Sequence, residues 1–181
     1  MSEMIQIKLT GLDKASAEVV EATHRGILTG LEAAGVEAVG EVVKNIREPF
    51  ASMPPAVATG NLANAVFATV TTEGMLMRLL VQAGAPADMY ADPINSGARA
   101  HMPPVNALLP WIKLKFGVED EKAALKIAWA IALTQAKKGM RGRYMFSRVE
   151  DRFEPKAASI IERQIAVALR AAGLGGDVAA S

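Results

Sequence analysis

Cysteine is absent from the 181 residues. A disulfide framework, a thiolate metal site and a cysteine nucleophile are therefore excluded. Histidine is scarce: His24 and His101 stand 77 positions apart, so a histidine-rich metal site is not expected. Aromatic residues make up 5% of the chain. Long apolar runs are missing too. The best stretch, 127–133, falls far short of the roughly 20 residues that a membrane span needs. The opening M-S-E-M-I-Q-I-K-L-T has neither a basic n-region nor an apolar h-region, so no signal peptide is expected. A soluble protein used inside a cell, with no membrane partner, is the expectation. Excess charge of one sign is also missing. The net charge is +1 and the pI is near 8.0, so any site for a polyanion must be local.

What is present is apolar content, at 51% of residues. That supplies a real core and rules out disorder of the whole chain. A mass of 19.1 kDa fits one domain of ordinary size. A single domain over 1–173 with a frayed tail at 174–181 is expected.

Ile5, Ile7 and Leu9 alternate with Gln6, Lys8 and Thr10, which predicts a short strand with one buried face, ended by Gly11. Asp13 is placed to cap a helix over about 14–47. Its apolar stripe is Val20, Ile27, Leu31, Ala34, Ala38, Val42 and Ile46, with charges on the other side and His24 exposed near them. Gly26, Gly30, Gly35 and Gly40 cost this helix ~1 kcal/mol each relative to alanine, so they mark either close packing or a break. Pro49 ends it. A proline-rich connector follows over 49–60, including Pro54-Pro55.

A hairpin is predicted from about 62–71 and 75–83, turning at Glu73-Gly74. Residues 84–105 read as a long loop, a class of segment that is often functional. A short helix over 106–116 stops at Gly117. The next helix opens on Glu119, Asp120 and Glu121 and closes on Lys137 and Lys138, which suits the helix dipole. Gly139 is its expected cap. Ala124, Ile127, Ala128 and Ile131 form its buried side. After the turn G-M-R-G-R, a last helix is predicted over about 155–172, with Pro155 in its first turn and a stripe of Ala157, Ile161, Ile165, Ala168 and Ala172. The fold class is α+β: a small antiparallel sheet, made of the N-terminal strand and the hairpin, packed on a long N-terminal helix with additional C-terminal helices.

No G-x-S-x-G, P-loop, G-x-G-x-x-G or H-E-x-x-H is present. Asp88, Asp92 and His101 share the long loop and offer an acid/base set, against the plainer reading of a polar surface loop. Lys137, Lys138, Arg141, Arg143 and Arg148 lie within twelve residues with no acid among them. Such a patch can neutralise phosphates, and Gly139 and Gly142 would let backbone approach a nucleic-acid strand. The same run also reads as a helix end followed by a solvated turn. Tyr144 and Phe146 either stack on bases or anchor this turn to the core. Met53, Met75, Met77, Met89 and Met102 suit an adaptable interface or core filling.

Several segments stand in a particular order. A strand, G-L-D and an alanine-rich helix come first. A connector ends in T-G-N-L at Thr59, Gly60, Asn61 and Leu62, and the hairpin follows. Next is Y-A-D-P-I-N-S-G-A-R-A-H-M-P-P, then L-L-P-W-I-K-L-K-F-G-V and A-W-A-I-A-L-T-Q-A-K-K-G-M-R-G-R-Y-M-F. In this order, over about 5–172, the chain resembles the neck or tail-completion (head–tail joining) proteins of long-tailed phages and prophages, related to the lambda-type minor tail protein Z. Tyr90, Ala91 and Gly97 match that pattern. Asn95 stands where a Glu is usual, and Ala98 where a Thr is usual.

The resemblance implies a structural virion protein, not an enzyme, with no cofactor and no small-molecule substrate. It implies assembly in the host cytoplasm into a homo-oligomeric ring at the head–tail junction. The partners would be other neck and tail proteins, and genomic DNA would pass non-specifically through the lumen. The hairpin edges and the 89–104 segment are the candidate subunit interface, with Met89, Tyr90, Ile94, Asn95, Arg99, His101 and Met102. Lys137, Lys138, Arg141, Arg143 and Arg148 are candidates to face DNA or a partner. Two other readings stay open: a stand-alone nucleic-acid-binding module using 137–148, and a hydrolase using Asp88, Asp92 and His101.

Overall fold

The computed structural model describes residues 2–8, 15–53 and 60–174. Leu9, Gly11, Asp13, Pro54-Pro55, Thr59 and residues 175–181 lie outside the described residues. The chain is α+β, and its contacts gather into two compact units. The first comprises Met1–Val42, Val66–Gln82 and Phe146–Ser181; the second comprises Val43–Ala65 and Ala83–Met145.

In the first unit, β1 (Ser2–Lys8) pairs antiparallel with β3 (Leu76–Ala83), and β2 (Val66–Glu73) pairs on the other side of β3. Ile5 stands opposite Leu79 and Ile7 opposite Met77. Met77, Leu79 and Val81 alternate along β3 and are fully buried, as the two-residue period of a strand requires. The turn between β2 and β3 falls at Gly74, which has φ of +60°.

Helix α1 (Ala17–Arg47) is about 46 Å long. It opens on Ser16, whose Oγ accepts a hydrogen bond from the Val19 amide at 3.3 Å. Ser16 therefore occupies the cap position expected of Asp13, and the helix starts later than expected. Ile27, Leu31, Ala34, Ala38, Val42 and Ile46 are buried as predicted, whereas Val20 and His24 are half-buried. His24 was expected exposed; it lies too near the stripe for that.

The glycines do not break α1. A Cβ on Gly26 would lie 2.5 Å from the Ile165 Cα, and one on Gly30 would lie 2.7 Å from the Ile161 Cα. One on Gly35 would meet the Ala68 Cβ at 2.9 Å. Three of the four glycines thus admit α6 (Ser147–Ala171) and the sheet at close range, while Gly40 faces open space.

Helix α6 begins eight residues before Pro155, not at it. Val149 and Phe153 extend its buried stripe of Ala157, Ile160 and Ile161 backwards. Pro155 and Asp151, whose carbonyl loses its helical partner, are both exposed, so water can pair that carbonyl. Glu37 on α1 holds Lys156 on α6 at 2.7 Å.

In the second unit, α2 (Asn61–Asn64) is a single helical turn where the hairpin was expected to begin. The β-branched and aromatic residues that favour a strand start only at Val66. The expected long loop is also corrected. Residues 88–96 form α3 (Asp88–Ser96), followed by β4 (Gly97–Ala98). Asp88 supplies the acid in its first turn and Ala91 is buried. Aspartate, proline and glycine in close succession mimic a loop. Here Pro93 sits inside the helix, and Gly97, with φ of +87°, stops it.

Helix α4 (Val105–Phe116) and α5 (Glu121–Lys138) form an αα-hairpin around Ile112, Ala124 and Ala128. Asp120 caps α5 by accepting from the Ala123 amide at 2.7 Å. Gly139 closes it with φ of +70°, its amide donating to the Gln135 carbonyl at 2.8 Å. Both ends of α5 fall where the sequence put them. β5 (Met140–Arg141) then pairs with β4.

Candidate assembly interface

The conspicuous motifs of the second unit, Y-A-D-P-I-N-S-G-A and G-M-R-G-R-Y, meet each other. Gly97 pairs with Arg141 and Ala98 with Met140 across β4 and β5. The Arg143 amide donates to the Ile94 carbonyl at 3.0 Å, and the Tyr144 amide to the Asn95 carbonyl at 2.8 Å. The approach leaves no room for side chains. A Cβ on Gly97 would lie 2.6 Å from the Met140 carbonyl oxygen, and one on Gly142 would lie 2.7 Å from that of Asn95. A Cβ on Gly139 would overlap the Ala98 carbonyl. The glycines expected to admit a nucleic-acid strand instead admit another part of their own chain. Gly142, being buried, presents no backbone to an outside strand.

Tyr144 has φ of +52° and meets Phe50 edge to face, with ring centroids 6.4 Å apart. The Asn45 side-chain amide donates to the Met145 carbonyl at 3.0 Å. Phe146 is buried and so cannot stack on a base. Phe146 is thereby an anchor, whereas Tyr144 stays exposed and touches Phe50.

The five basic candidates divide. Lys137, Lys138 and Arg141 are exposed. Arg143 is half-buried, and burial pushes its guanidinium below the ordinary arginine value. Arg148 is half-buried and belongs to the first unit, in the first turn of α6.

The interface candidates divide in the same way. Met89 is 82% exposed, and Arg99, His101 and Met102 are exposed with it. Tyr90, Ile94 and Asn95 are half-buried, and the last two are engaged through their carbonyls in the crossing just described. Of the methionines, Met75 is exposed, Met53 half-buried, and Met77 part of the core.

The acid/base candidates make local bonds. Asp88 Oδ1 accepts from the Met89 amide at 2.9 Å, and Asp92 Oδ1 from Ser96 Oγ at 3.2 Å. His101 Nδ1 lies 2.8 Å from the Arg99 carbonyl oxygen. The structure therefore does not join the three in one hydrogen-bonded set. Among the described residues no cluster of three His, Asp or Glu could hold a metal ion. Nor is any helix there long and apolar enough to cross a membrane.

Two features escaped the sequence reading. The first is the outer surface of the α4–α5 hairpin, which exposes Trp111, Leu114, Phe116, Leu125, Trp129 and Leu133. Leu125, Trp129 and Leu133 recur every fourth residue, a signal readable in the sequence but masked by the stronger alanine stripe beside it. The second is a division of charge. The first unit holds nine Lys and Arg against thirteen Asp and Glu, and the second holds eleven against six. The near-neutral total conceals this. Comparison with family models, curated proteins and solved structures gives no match.

Proposed function

We propose that this chain is a structural subunit of the head–tail junction of a long-tailed phage or prophage. It forms a homo-oligomeric ring that completes the tail and joins it to the head, with DNA passing through the lumen. The observation that carries this reading is the division of charge between an acidic and a basic unit. A subunit with two unlike regions favours head-to-tail contact, since like copies attract through different surfaces. Such contacts are heterologous and close into rings when the rotation permits. The exposed apolar residues Met89 and Met102, on the segment read from the sequence as a candidate subunit interface, agree with it. So does the α+β fold with its long first helix.

The test is the solution mass by light scattering, paired with negative-stain imaging. Rings with a central hole are expected. A monomer at every concentration, alone and with neck or tail proteins, would count against the reading.

A second reading is a nucleic-acid-binding module. It is favoured by the exposure of Lys137, Lys138 and Arg141 at one end of α5 and in the following strand. It predicts DNA binding by the isolated monomer that weakens steeply with salt, and that weakens further in Lys137→Gln with Lys138→Gln. Unchanged binding in that double variant would remove it.

A further inference from the structure

Helix α5 carries two apolar stripes. Ala124, Ala128 and Ala132 are its buried residues, with Ile127 and Ile131 half-buried beside them against the hairpin core. Leu125, Trp129 and Leu133 turn outwards, with Trp129 48% exposed. Lys122 and Lys126 flank this outer stripe, three residues before Leu125 and Trp129. An amphipathic helix normally puts its large residues inward. The reversal leaves an apolar seam edged by positive charge, a surface that fits an acidic helix.

The chain itself offers such a helix. On α1, Glu18, Glu21, Arg25, Thr29, Glu32 and Val36 follow one another in steps of three and four and are all exposed. They therefore share one face. Three of the six are acids. Val36, 74% exposed, is the most exposed large apolar side chain among the described residues of its unit. Both seams are straight helical rows, so one can lie along the other as packed helices do.

We infer that the outer seam of α5 docks on the outer face of α1 in a second copy of this chain. The two lysines would face Glu32 and Glu21, the latter held by Arg25 at 2.7 Å within one copy, and the leucines and tryptophan would cover Val36. This contact rests on the ring reading and specifies it, because it joins two different surfaces and leaves the pair with one seam of each kind free.

The chain has two tryptophans, and both, Trp111 and Trp129, lie on the α4–α5 hairpin. Their emission therefore reports on this surface alone. The full chain is examined over a wide concentration range by sedimentation and by fluorescence. The expected result is a rise in mass with a parallel blue shift, both reduced by salt. Leu125→Glu with Leu133→Glu alters exposed side chains and should keep the native far-UV spectrum. It should weaken association about tenfold or more. Lys122→Glu with Lys126→Glu should weaken it as well. Adding Glu21→Lys and Glu32→Lys to that variant should restore it, because the charges on both sides of the contact are then reversed.

A rise in mass with unmoved emission, and normal association of Leu125→Glu with Leu133→Glu, overturns this contact while leaving the ring reading standing. A monomer that shifts blue only with phosphatidylglycerol vesicles overturns it in favour of a membrane surface. A monomer with no shift under any condition overturns both this contact and unaided ring formation.

Discussion

Two helix pairs, α1 with α6 and α4 with α5, are built on opposite plans. In the pair α1 and α6, the large residues Leu31, Phe153, Ile160 and Ile161 face inward and glycines bring the backbones together. In the pair α4 and α5, alanines fill much of the core and both tryptophans lie partly in water. The first plan buries its large residues within one chain, Val36 and Val167 excepted. The second leaves large apolar area unburied, and area of that kind marks an interaction surface. Apolar content alone therefore does not locate a core; the side of the helix on which the bulk lies does.

The comparison can be broken most directly by truncating one large residue in each pair. Ile161→Ala should cost about 2–5 kcal/mol, whereas Leu133→Ala should stay within about 0.5 kcal/mol for the isolated chain. Urea unfolding measures both, and equal losses would erase the contrast.

Glycine offers a second contrast, within α1 alone. Gly30→Ala should destabilise by about 1–3 kcal/mol, because its Cβ would overlap the Ile161 backbone. Gly40→Ala meets open space and should stabilise by about 0.5–1 kcal/mol through helix propensity. Stabilisation of both variants would show that propensity outweighs packing.

A smaller effect is expected at the tight turn Phe50–Met53. Ala51 and Ser52 both have positive φ there, while Phe50 and Met53 exchange backbone hydrogen bonds of 3.0 and 2.8 Å. Asn and Gly favour those two positions. Ala51→Asn with Ser52→Gly should raise stability by about 1 kcal/mol, read as a higher melting temperature. A lower one would contradict the turn geometry.

The smallest effect belongs to Lys156. Hydrogen bonding to Glu37, aided by the charges of Glu37 and Glu41, holds its ammonium above the ordinary 10.5 despite some desolvation. A raised folded value means that the contribution is full below the unfolded value and fades as pH rises through the folded one. Wild type should therefore lose slightly more stability above about pH 10.5 than Lys156→Gln does. Parallel alkaline profiles would remove this link.

Much of the fold was legible where one strong periodicity met clear end signals. The α1 stripe from Ile27 to Ile46, the acidic opening of α5 at 119–121 and its stop at Gly139 are all of this kind. Legibility failed where a local signal was outvoted by tertiary context. Pro155 looks like a helix start, yet the buried Phe153 and Val149 carry α6 past it. The composition of 88–98 looks like a loop, yet its pairing with 140–143 lies more than forty positions away. For the candidate site, the residue types were legible and their exposure was not. Arg143 and Asn95 read as surface groups, but the β4–β5 crossing half-buries both.

That crossing has a topological consequence. The chain leaves at Ala98 and returns at Met140, and these two residues are register partners. Their Cα atoms therefore stand about 5 Å apart. The whole α4–α5 excursion is tied off at its root like a handle. Excising 99–139 would leave two ends that a two-residue turn can join. A hairpin of different length or surface could be grafted there without rerouting α3 or the strand that follows, making the handle the natural place for this scaffold to change partners.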